Sequence, residues 1–250
     1  MVDFISDLHL QAAEPQTFAA WKNYLESTKA DAVFILGDLF EVWVGDDAVA
    51  EAAPGQTSFL NTCAGVLKQA AERLSLYFMH GNRDFLVGES FCASSDVALL
   101  ADPCVLEFGA ERWVLSHGDA LCLADADYQQ FRKIVRSAEW QVSFLAKPLH
   151  ERHGIARGLR EQSQAKNIAV TTYADADEGA TLALLEATGA TQLVHGHTHR
   201  PASHILPGGF QRHVLSDWDL EATPARGQVF RLVLGEEGVI RASRIAPEQA

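Results

Sequence analysis

Residues suited to metal binding occur at five places along this chain, each directly after a short apolar run. The last place, "LVHGHTHRP" at residues 193–201, carries three histidines at alternate positions. Neutral imidazole is a common metal ligand, although such a triplet could equally form a hydrogen-bonded polar network or a chance surface feature. The other four places favour the metal. In chain order, the five sets are Asp7 and His9; Asp38; Asn82, Arg83 and Asp84; His117 and Asp119; and His195, His197 and His199.

Carboxylate, imidazole and amide groups together suit divalent manganese, iron, zinc or magnesium. The four cysteines are widely spaced and form no CxxC pair, which predicts reduced core thiols rather than a disulfide frame or a structural zinc site; they are Cys63, Cys92, Cys104 and Cys122. A carboxylate bridging two ions about 3.5–4 Å apart serves in-line phosphoryl displacement. Asp38 is the natural bridge, because the preceding glycine lets its loop turn tightly.

Buried strands are predicted to position these residues. The runs "VDFIS", "AVFIL", "LSLYFM", "RWVLS" and "TQLV" have the length of strands buried on both faces, and helical spacing at 17–29 and 58–73 separates the early ones. This alternation predicts a largely parallel core sheet. Turn residues at 109–110 and 236–238 predict two hairpins, hence an antiparallel contribution. Loops at the carboxyl ends of strands line the ligand crevice in such sheets, so the five polar sets should meet there.

The segment at about 125–170, which we call the cap, breaks this alternation. Its apolar residues recur at helical spacing and predict two or three inserted helices, either a cover over the site or a peripheral layer on the sheet. Between Arg132 and Lys166 there are eight basic and three acidic residues, although the whole chain has a net charge of −13. This basic stretch is either a solvated helix surface or a face for an anionic ligand or lipid.

Composition is that of an ordinary globular protein, with 48% hydrophobic and 21% charged residues. The acidic balance argues against a nucleic-acid backbone as partner. Apolar runs stay below the roughly 18 residues of a membrane-spanning helix, and the start has no pattern of an export signal, so we expect a cytoplasmic location. We expect one domain over residues 1–250, with the cap inserted in it.

The motifs "DLH", "GDLFE", "GNRD", "HGD" and "HGHTHR", in this order over residues 3–200, resemble those of the calcineurin-like metallophosphoesterases. The resemblance implies an α/β fold (α+β in some schemes), a two-layered β-sandwich flanked by helices, with a two-metal centre. Asp7, His9 and His199 would then hold one ion. Asn82, His117 and His197 would hold the other, and Asp38 would bridge both. His195 would orient its loop or another ligand through a hydrogen bond.

Arg83 departs from the broad family, many members of which have histidine at this position to protonate a leaving alkoxide. Arginine keeps its proton near neutral pH, so it acts as a fixed cation toward phosphate. A phosphate leaving group, as in a pyrophosphate, needs no such acid. The sequence therefore predicts a pyrophosphatase in which Asp38, Asn82, Arg83 and His117 are the catalytic residues.

The longer stretches "GNRDFL", "GDLFEVWVGDD" and "HGDALCLADADYQQFR" are similar to those of one subgroup, the pyrophosphatases of the Gram-negative lipid A pathway. This similarity implies a two-metal hydroxide mechanism, usually with Mn²⁺, that cleaves a UDP-activated diacylated glucosamine lipid next to uridine. It also implies that the protein is bound peripherally at the cytoplasmic face of the inner membrane. No nucleic-acid or protein partner is implied. The cap would then cover the two acyl chains.

The same similarity implies a set of substrate contacts: Asn82, Arg83, Asp125, Tyr128, Ser163, Asn167 and His197. The "SQAKN" stretch does not fix the register after Ser163, so Lys166 is a rival for the phosphate or sugar contact. Two other functions stay open. One is a nucleotide or nucleic-acid phosphodiesterase on the same scaffold, and the other is a non-catalytic binding module, in which eroded metal ligands would be expected.

Overall fold

Two β-sheets form the centre of the structure, a computed structural model that describes residues 1–51, 57–169 and 175–250, with side chains up to residue 160 and again from residue 175. The six-stranded sheet has the order β11-β10-β1-β2-β3-β4. Strands β1 to β4 are parallel, whereas β10 pairs antiparallel with both β1 and β11. The bounds are β1 (Val2–Ile5), β2 (Ala32–Leu36), β3 (Ser75–Met79), β4 (Ala98–Leu100), β10 (Val229–Leu234) and β11 (Ile240–Ile245). The closing hairpin is confirmed, and the first three predicted strands form a parallel core, but the runs "RWVLS" and "TQLV" lie in the second sheet rather than in this one.

The five-stranded sheet has the order β5-β6-β7-β9-β8. Strands β6, β7 and β9 are parallel, and antiparallel β5 and β8 form its edges. The bounds are β5 (Cys104–Phe108), β6 (Glu111–Ser116), β7 (Gln192–His195), β8 (Ala202–Ile205) and β9 (Gln211–Val214). Gly109 has a φ of 60° in the turn between β5 and β6, a conformation that glycine adopts without a steric penalty. The second predicted hairpin is therefore confirmed as well.

The inner faces of the two sheets pack against each other through buried apolar side chains. Phe4 and Phe34 stack with ring centroids 5.2 Å apart, and Trp113 and Leu115 of the other sheet belong to the same apolar cluster. Complete burial of each such side chain contributes roughly 1.5–3 kcal/mol to folding. The architecture is the predicted two-layered β-sandwich, which holds the strand ends of both sheets in fixed positions.

Helices cover both outer faces of the sandwich. Trp21, Leu25 and Leu67 from the first two helices pack with Ile5 and Ile35 of the six-stranded sheet, which explains their apolar spacing. These helices begin and end within two residues of the predicted bounds. On the other sheet, the last helix contributes buried side chains to the cluster of Val114 and Leu193. The bounds are α1 (Pro15–Ser27), α2 (Phe59–Ala71), α3 (Glu89–Ser95) and α7 (Glu178–Thr188).

Three helices form the cap: α4 (Ala126–Val135), α5 (Ala138–Leu145) and α6 (Leu149–Ala169). Asp125 and Ser137 begin α4 and α5 by accepting hydrogen bonds from backbone N–H groups of the first turn. Arg152 of α6 is buried and donates from Nη1 to Asp47 of the loop after β2 at 2.8 Å. None of the helices in the described part of the chain has the length and apolarity needed to cross a membrane.

Candidate active site

The predicted metal ligands lie at one edge of the sandwich, in loops that follow β1, β2, β3, β6 and β7. Six non-glycine residues of the described chain have a positive φ, and five of them are predicted ligands: Asp7 (54°), His9 (48°), Asp38 (52°), His197 (66°) and His199 (52°). This left-handed conformation is uncommon outside glycine, and such backbone strain concentrates at functional sites. These five residues thus have a strained backbone conformation, as is common at a functional site.

Asp84 fixes two of these loops. Its buried carboxylate accepts hydrogen bonds from the backbone N–H groups of Leu39 at 2.7 Å and Gly81 at 2.8 Å, and a weaker one from Asp38. Burial, together with repulsion from the Asp38 carboxylate, raises the pKa of Asp84 to about 7. The sequence placed Asp84 in a motif but gave it no role.

One group of potential ligands consists of Asp7, His9 and His199. His199 Nε2 lies 3.3 Å from Asp7 Oδ1 and 3.5 Å from His9 Nε2. Asp7 Oδ1 and Oδ2 also accept a hydrogen bond from the backbone N–H of His197, at 3.1 and 2.9 Å. The two imidazoles and the carboxylate thus converge on one point, as the first predicted ion requires.

The second group surrounds the Asn82 amide. Its Oδ1 lies 3.0 Å from His117 Nε2 and 2.8 Å from His197 Nδ1. His117 Nδ1 donates to the Leu36 carbonyl at 2.9 Å, which turns Nε2 toward the site. Asp38 Oδ2 lies between the two groups, 3.8 Å from His117 Nε2 and 4.0 Å from His9 Nε2. This is the position that a bridging carboxylate would need.

The electrostatics of the site also fit two cations. Burial lowers the pKa of His9, but Glu41, Asp38 and Asp7 together outweigh it and raise the pKa to about 9. Burial opposes charge on His117 as well, and Asp38, Asp119 and Asp7 raise its pKa to about 9. The carboxylates thus favour positive charge on these imidazoles. Divalent ions would supply that charge directly and displace the protons, and the oxygen and nitrogen donors suit such ions.

His195 is the histidine of the triplet that stands apart from both groups. It is fully buried, and its Nδ1 donates to the Gly196 carbonyl at 2.8 Å. Burial lowers its pKa to about 4, so the ring stays neutral near pH 7. The contact is with its own loop, and the orienting role of His195 stays a prediction.

Glu41 is a residue whose role the sequence reasoning missed, although it ends the quoted motif "GDLFE". Its Oε2 lies 3.0 Å from His9 Nδ1. Its Oε1 lies 3.0 Å from Arg160 Nε in the cap and 3.8 Å from Arg83 Nη1. A single carboxylate therefore joins a predicted metal ligand, the predicted phosphate-binding arginine and the cap.

Asp119 forms the second connection between the site and the cap. Its buried carboxylate accepts hydrogen bonds from Tyr128 Oη at 2.6 Å and Arg132 Nε at 2.8 Å. The Tyr128 ring stacks on His197 with centroids 5.9 Å apart. Asp125 is exposed and caps α4 by accepting from the Tyr128 backbone N–H at 3.0 Å. Tyr128, a predicted substrate contact, thus also contacts Asp119 and His197.

Two cavities open from this site. An apolar cavity of about 290 Å³ lies beneath the cap and is lined by Val42, Trp43, Phe85, Leu86, Phe131, Trp140, Phe144, Ala156 and Leu159. A polar cavity of about 680 Å³ lies over the predicted metal ligands. Residues that line both are Glu41, Asn82, Arg83, Asp125, Tyr128 and Arg160. The predicted contacts Ser163, Lys166 and Asn167 lie outside the side chains that the structure describes.

The model of the calcineurin-like phosphoesterase family matches residues 1–201, and the chain belongs to this family. A relative from Chromobacterium violaceum, named UDP-2,3-diacylglucosamine hydrolase, is 45% identical over 87% of this chain and 90% of its own length. A protein of the same name from Ralstonia nicotianae is 44% identical over 98% of this chain and 92% of its own. One from Chromohalobacter salexigens is 43% identical over 91% of each. The predicted family and fold are confirmed, and the chain is a hydrolase.

Proposed function

We propose that this protein hydrolyses the pyrophosphate bond of UDP-2,3-diacylglucosamine and releases UMP and 2,3-diacylglucosamine 1-phosphate. The observation that carries the proposal is the apolar cavity beneath the cap, which meets the polar cavity of the site at Asn82 and Arg83. An apolar cavity of this kind, lined by aromatic and aliphatic side chains, suits acyl chains. The name of the relatives supports the same substrate.

Two divalent ions, expected to be Mn²⁺, would be held by the seven predicted ligands: Asp7, His9, Asp38, Asn82, His117, His197 and His199. When bound, such ions polarise phosphoryl oxygens and lower the pKa of an attacking water. Hydrogen bonds within the protein position the side chains that would hold the ions. The Leu36 carbonyl and Asp84, in particular, hold His117 and the Asp38 loop in place.

Arg83 binds the pyrophosphate in this proposal. Arg83 lines both cavities, and its Nη1 lies 3.8 Å from Glu41 Oε1, which is beyond hydrogen-bond distance. The guanidinium stays protonated and can donate two parallel hydrogen bonds to phosphate oxygens. Arg160 adds a second cation where the two cavities meet. Charge on the departing phosphate is then balanced without a proton donor.

We further propose that the protein works at the cytoplasmic face of the inner membrane, bound peripherally through the cap. The cap exposes the apolar side chains of Ile134, Val142 and Leu145, and Lys133 and Lys147, close to two of them in the sequence, are exposed as well. Apolar side chains flanked by lysines suit an anionic bilayer surface. Sedimentation with anionic vesicles should therefore exceed that with zwitterionic vesicles, and Val142→Asp should reduce it. Equal sedimentation of both proteins with both vesicles would contradict membrane binding through the cap.

The decisive experiment assays the purified protein with Mn²⁺ on UDP-2,3-diacylglucosamine, with UDP-glucose and bis(4-nitrophenyl) phosphate alongside. We expect UMP from the lipid substrate at an efficiency far above that for the other two, and no release after chelation of the metal. Preference for UDP-glucose would instead favour a nucleotide phosphodiesterase. Loss of all three activities in a metal-loaded protein would favour a non-catalytic module.

A further inference from the structure

The polar cavity is lined in part by residues that are neither predicted metal ligands nor cap residues. They include Gln11, Glu14, Asp217, Asp219 and Arg226. None of these residues lines the apolar cavity. We propose that this part of the polar cavity, which we call the acidic end, binds the uridine part of the substrate. The proposal rests on the proposed function, because it assigns the second half of the same molecule.

Charge decides which half of the substrate binds on which side. At the acidic end, Arg226 donates from Nε to Asp217 Oδ2 at 2.9 Å and from Nη2 to Asp219 Oδ2 at 3.0 Å. These carboxylates balance the arginine, so the acidic end repels a phosphate group. Arg83 and Arg160 lie where the polar cavity meets the apolar one. The lipid-linked phosphate therefore belongs on the cap side, and the uncharged nucleoside belongs at the acidic end.

The hydrogen-bonding groups of uridine match those of the acidic end. The two ribose hydroxyls and the uracil N3–H are donors, and carboxylate oxygens accept several hydrogen bonds each. Gln11 Nε2 donates to Glu14 Oε1 at 2.6 Å, so the Gln11 amide has one N–H and its carbonyl left for a ligand. Arg226 likewise has N–H groups beyond its two pairs for a uracil carbonyl. Donors and acceptors are thus both present, as a pyrimidine edge requires.

Backbone hydrogen bonds attach the acidic end directly to the metal-ligand loops. The N–H of Trp218 donates to the Asp7 carbonyl at 3.0 Å. Asp219 and Arg226 exchange two backbone hydrogen bonds of 2.9 Å each, which closes the 219–226 loop. The wall that faces the nucleoside is therefore held at a fixed position relative to Asp7. Such preorganisation aligns the phosphorus next to uridine with the reacting groups.

The test measures binding of UMP and of the lipid product, 2,3-diacylglucosamine 1-phosphate, to the Mn²⁺-loaded protein by calorimetry. Gln11→Ala and Asp219→Ala should each lower the affinity for UMP by about tenfold or more, as expected when a hydrogen bond to a charged or well-placed group is lost. Their affinity for the lipid product should change by less than about twofold. Phe131→Ala, in the apolar cavity, should show the opposite pattern. Glu107→Gln, an exposed carboxylate on β5, is the matched control and should change neither affinity.

The outcomes separate this inference from the proposed function. If the parent protein releases UMP from the lipid substrate but both acidic-end variants bind UMP as the parent does, the uridine assignment is wrong and the function stands. If Phe131→Ala lowers the affinity for UMP but not that for the lipid product, the substrate binds in the reverse direction, with the uridine in the apolar cavity. If the parent releases no UMP from the lipid, the proposed function itself fails.

Discussion

The loops of the metal site and the cap are built in opposite ways. The loops are held by backbone hydrogen bonds, Asp7, Asp38 and His117 in them are buried, and five of their residues have left-handed conformations. The cap contacts the site through charged side chains that meet Glu41 and Asp119 and through the Tyr128 ring on His197. It also packs Trp140 and Phe144 on the main apolar cluster, while Val142 on its surface is 70% exposed. Backbone hydrogen bonds thus hold the loops, whereas side-chain contacts hold the cap. We therefore expect the loops to determine the chemistry and the cap to determine which substrate undergoes it.

The largest expected effect comes from the loops. Asp38→Ala should abolish turnover of both UDP-2,3-diacylglucosamine and bis(4-nitrophenyl) phosphate, because two cations would repel each other without their shared carboxylate. Metal analysis of the purified variant should find both sites depleted. Asp96→Ala is the matched control, since Asp96 has a similar φ of 56° but lies at the end of α3. Metal content of Asp38→Ala equal to that of the parent would rule out the bridging role.

Arg83 lies between the two regions, and its substitution should distinguish their substrates. Arg83→Ala should lower turnover of the UDP-lipid by roughly 10²–10³-fold, the usual loss for a preorganised donor, with the metals retained. The aryl diester offers no second phosphate, so its turnover should fall much less. Arg83→Lys should restore little of the lost turnover, because an ammonium lacks the planar pair of donors of a guanidinium. Equal losses on both substrates would place Arg83 in the general chemistry instead.

The sequence predicted the loops far better than it predicted the cap. Asp7, Asn82 and His117 each follow a strand whose apolar run is visible in the sequence. Asp7 and Asn82 belong to one sheet and His117 to the other, and the packing of the two sheets brings the strand ends together. The contacts of the cap depend instead on which carboxylate each arginine on a helix surface meets, such as Glu41 for Arg160 and Asp119 for Arg132. Helical periodicity gives the presence of a helix but not the partner of a charged side chain on its surface. The basic stretch was therefore visible in the sequence, while its carboxylate partners were not.

Glu41 tests the link between the regions, because it contacts both His9 and Arg160. Glu41→Gln keeps the shape of the side chain but removes the charge that orients the imidazole. Metal affinity and turnover should both fall by about 10–100-fold, the typical loss for a group that orients a metal ligand. Titration of Mn²⁺ binding, followed by electron paramagnetic resonance, measures the first effect independently of catalysis. Unchanged metal affinity with reduced lipid turnover would confine Glu41 to holding the cap.

The smallest expected effect is the loss of efficiency for each methylene of the acyl chains that the cap would cover. Each methylene removed from an acyl chain should lower kcat/KM by about fourfold, which corresponds to about 0.8 kcal/mol for each CH₂ no longer buried. The dependence should end once the shortened chains no longer reach Phe131 and Leu159, which line the apolar cavity. Leu159→Ala should flatten it for the same reason, because the cavity then contacts the chain less closely. Turnover of bis(4-nitrophenyl) phosphate should not change in that variant. A slope that persists in Leu159→Ala would mean that the acyl chains bind elsewhere, and the division of roles between loops and cap would then not hold.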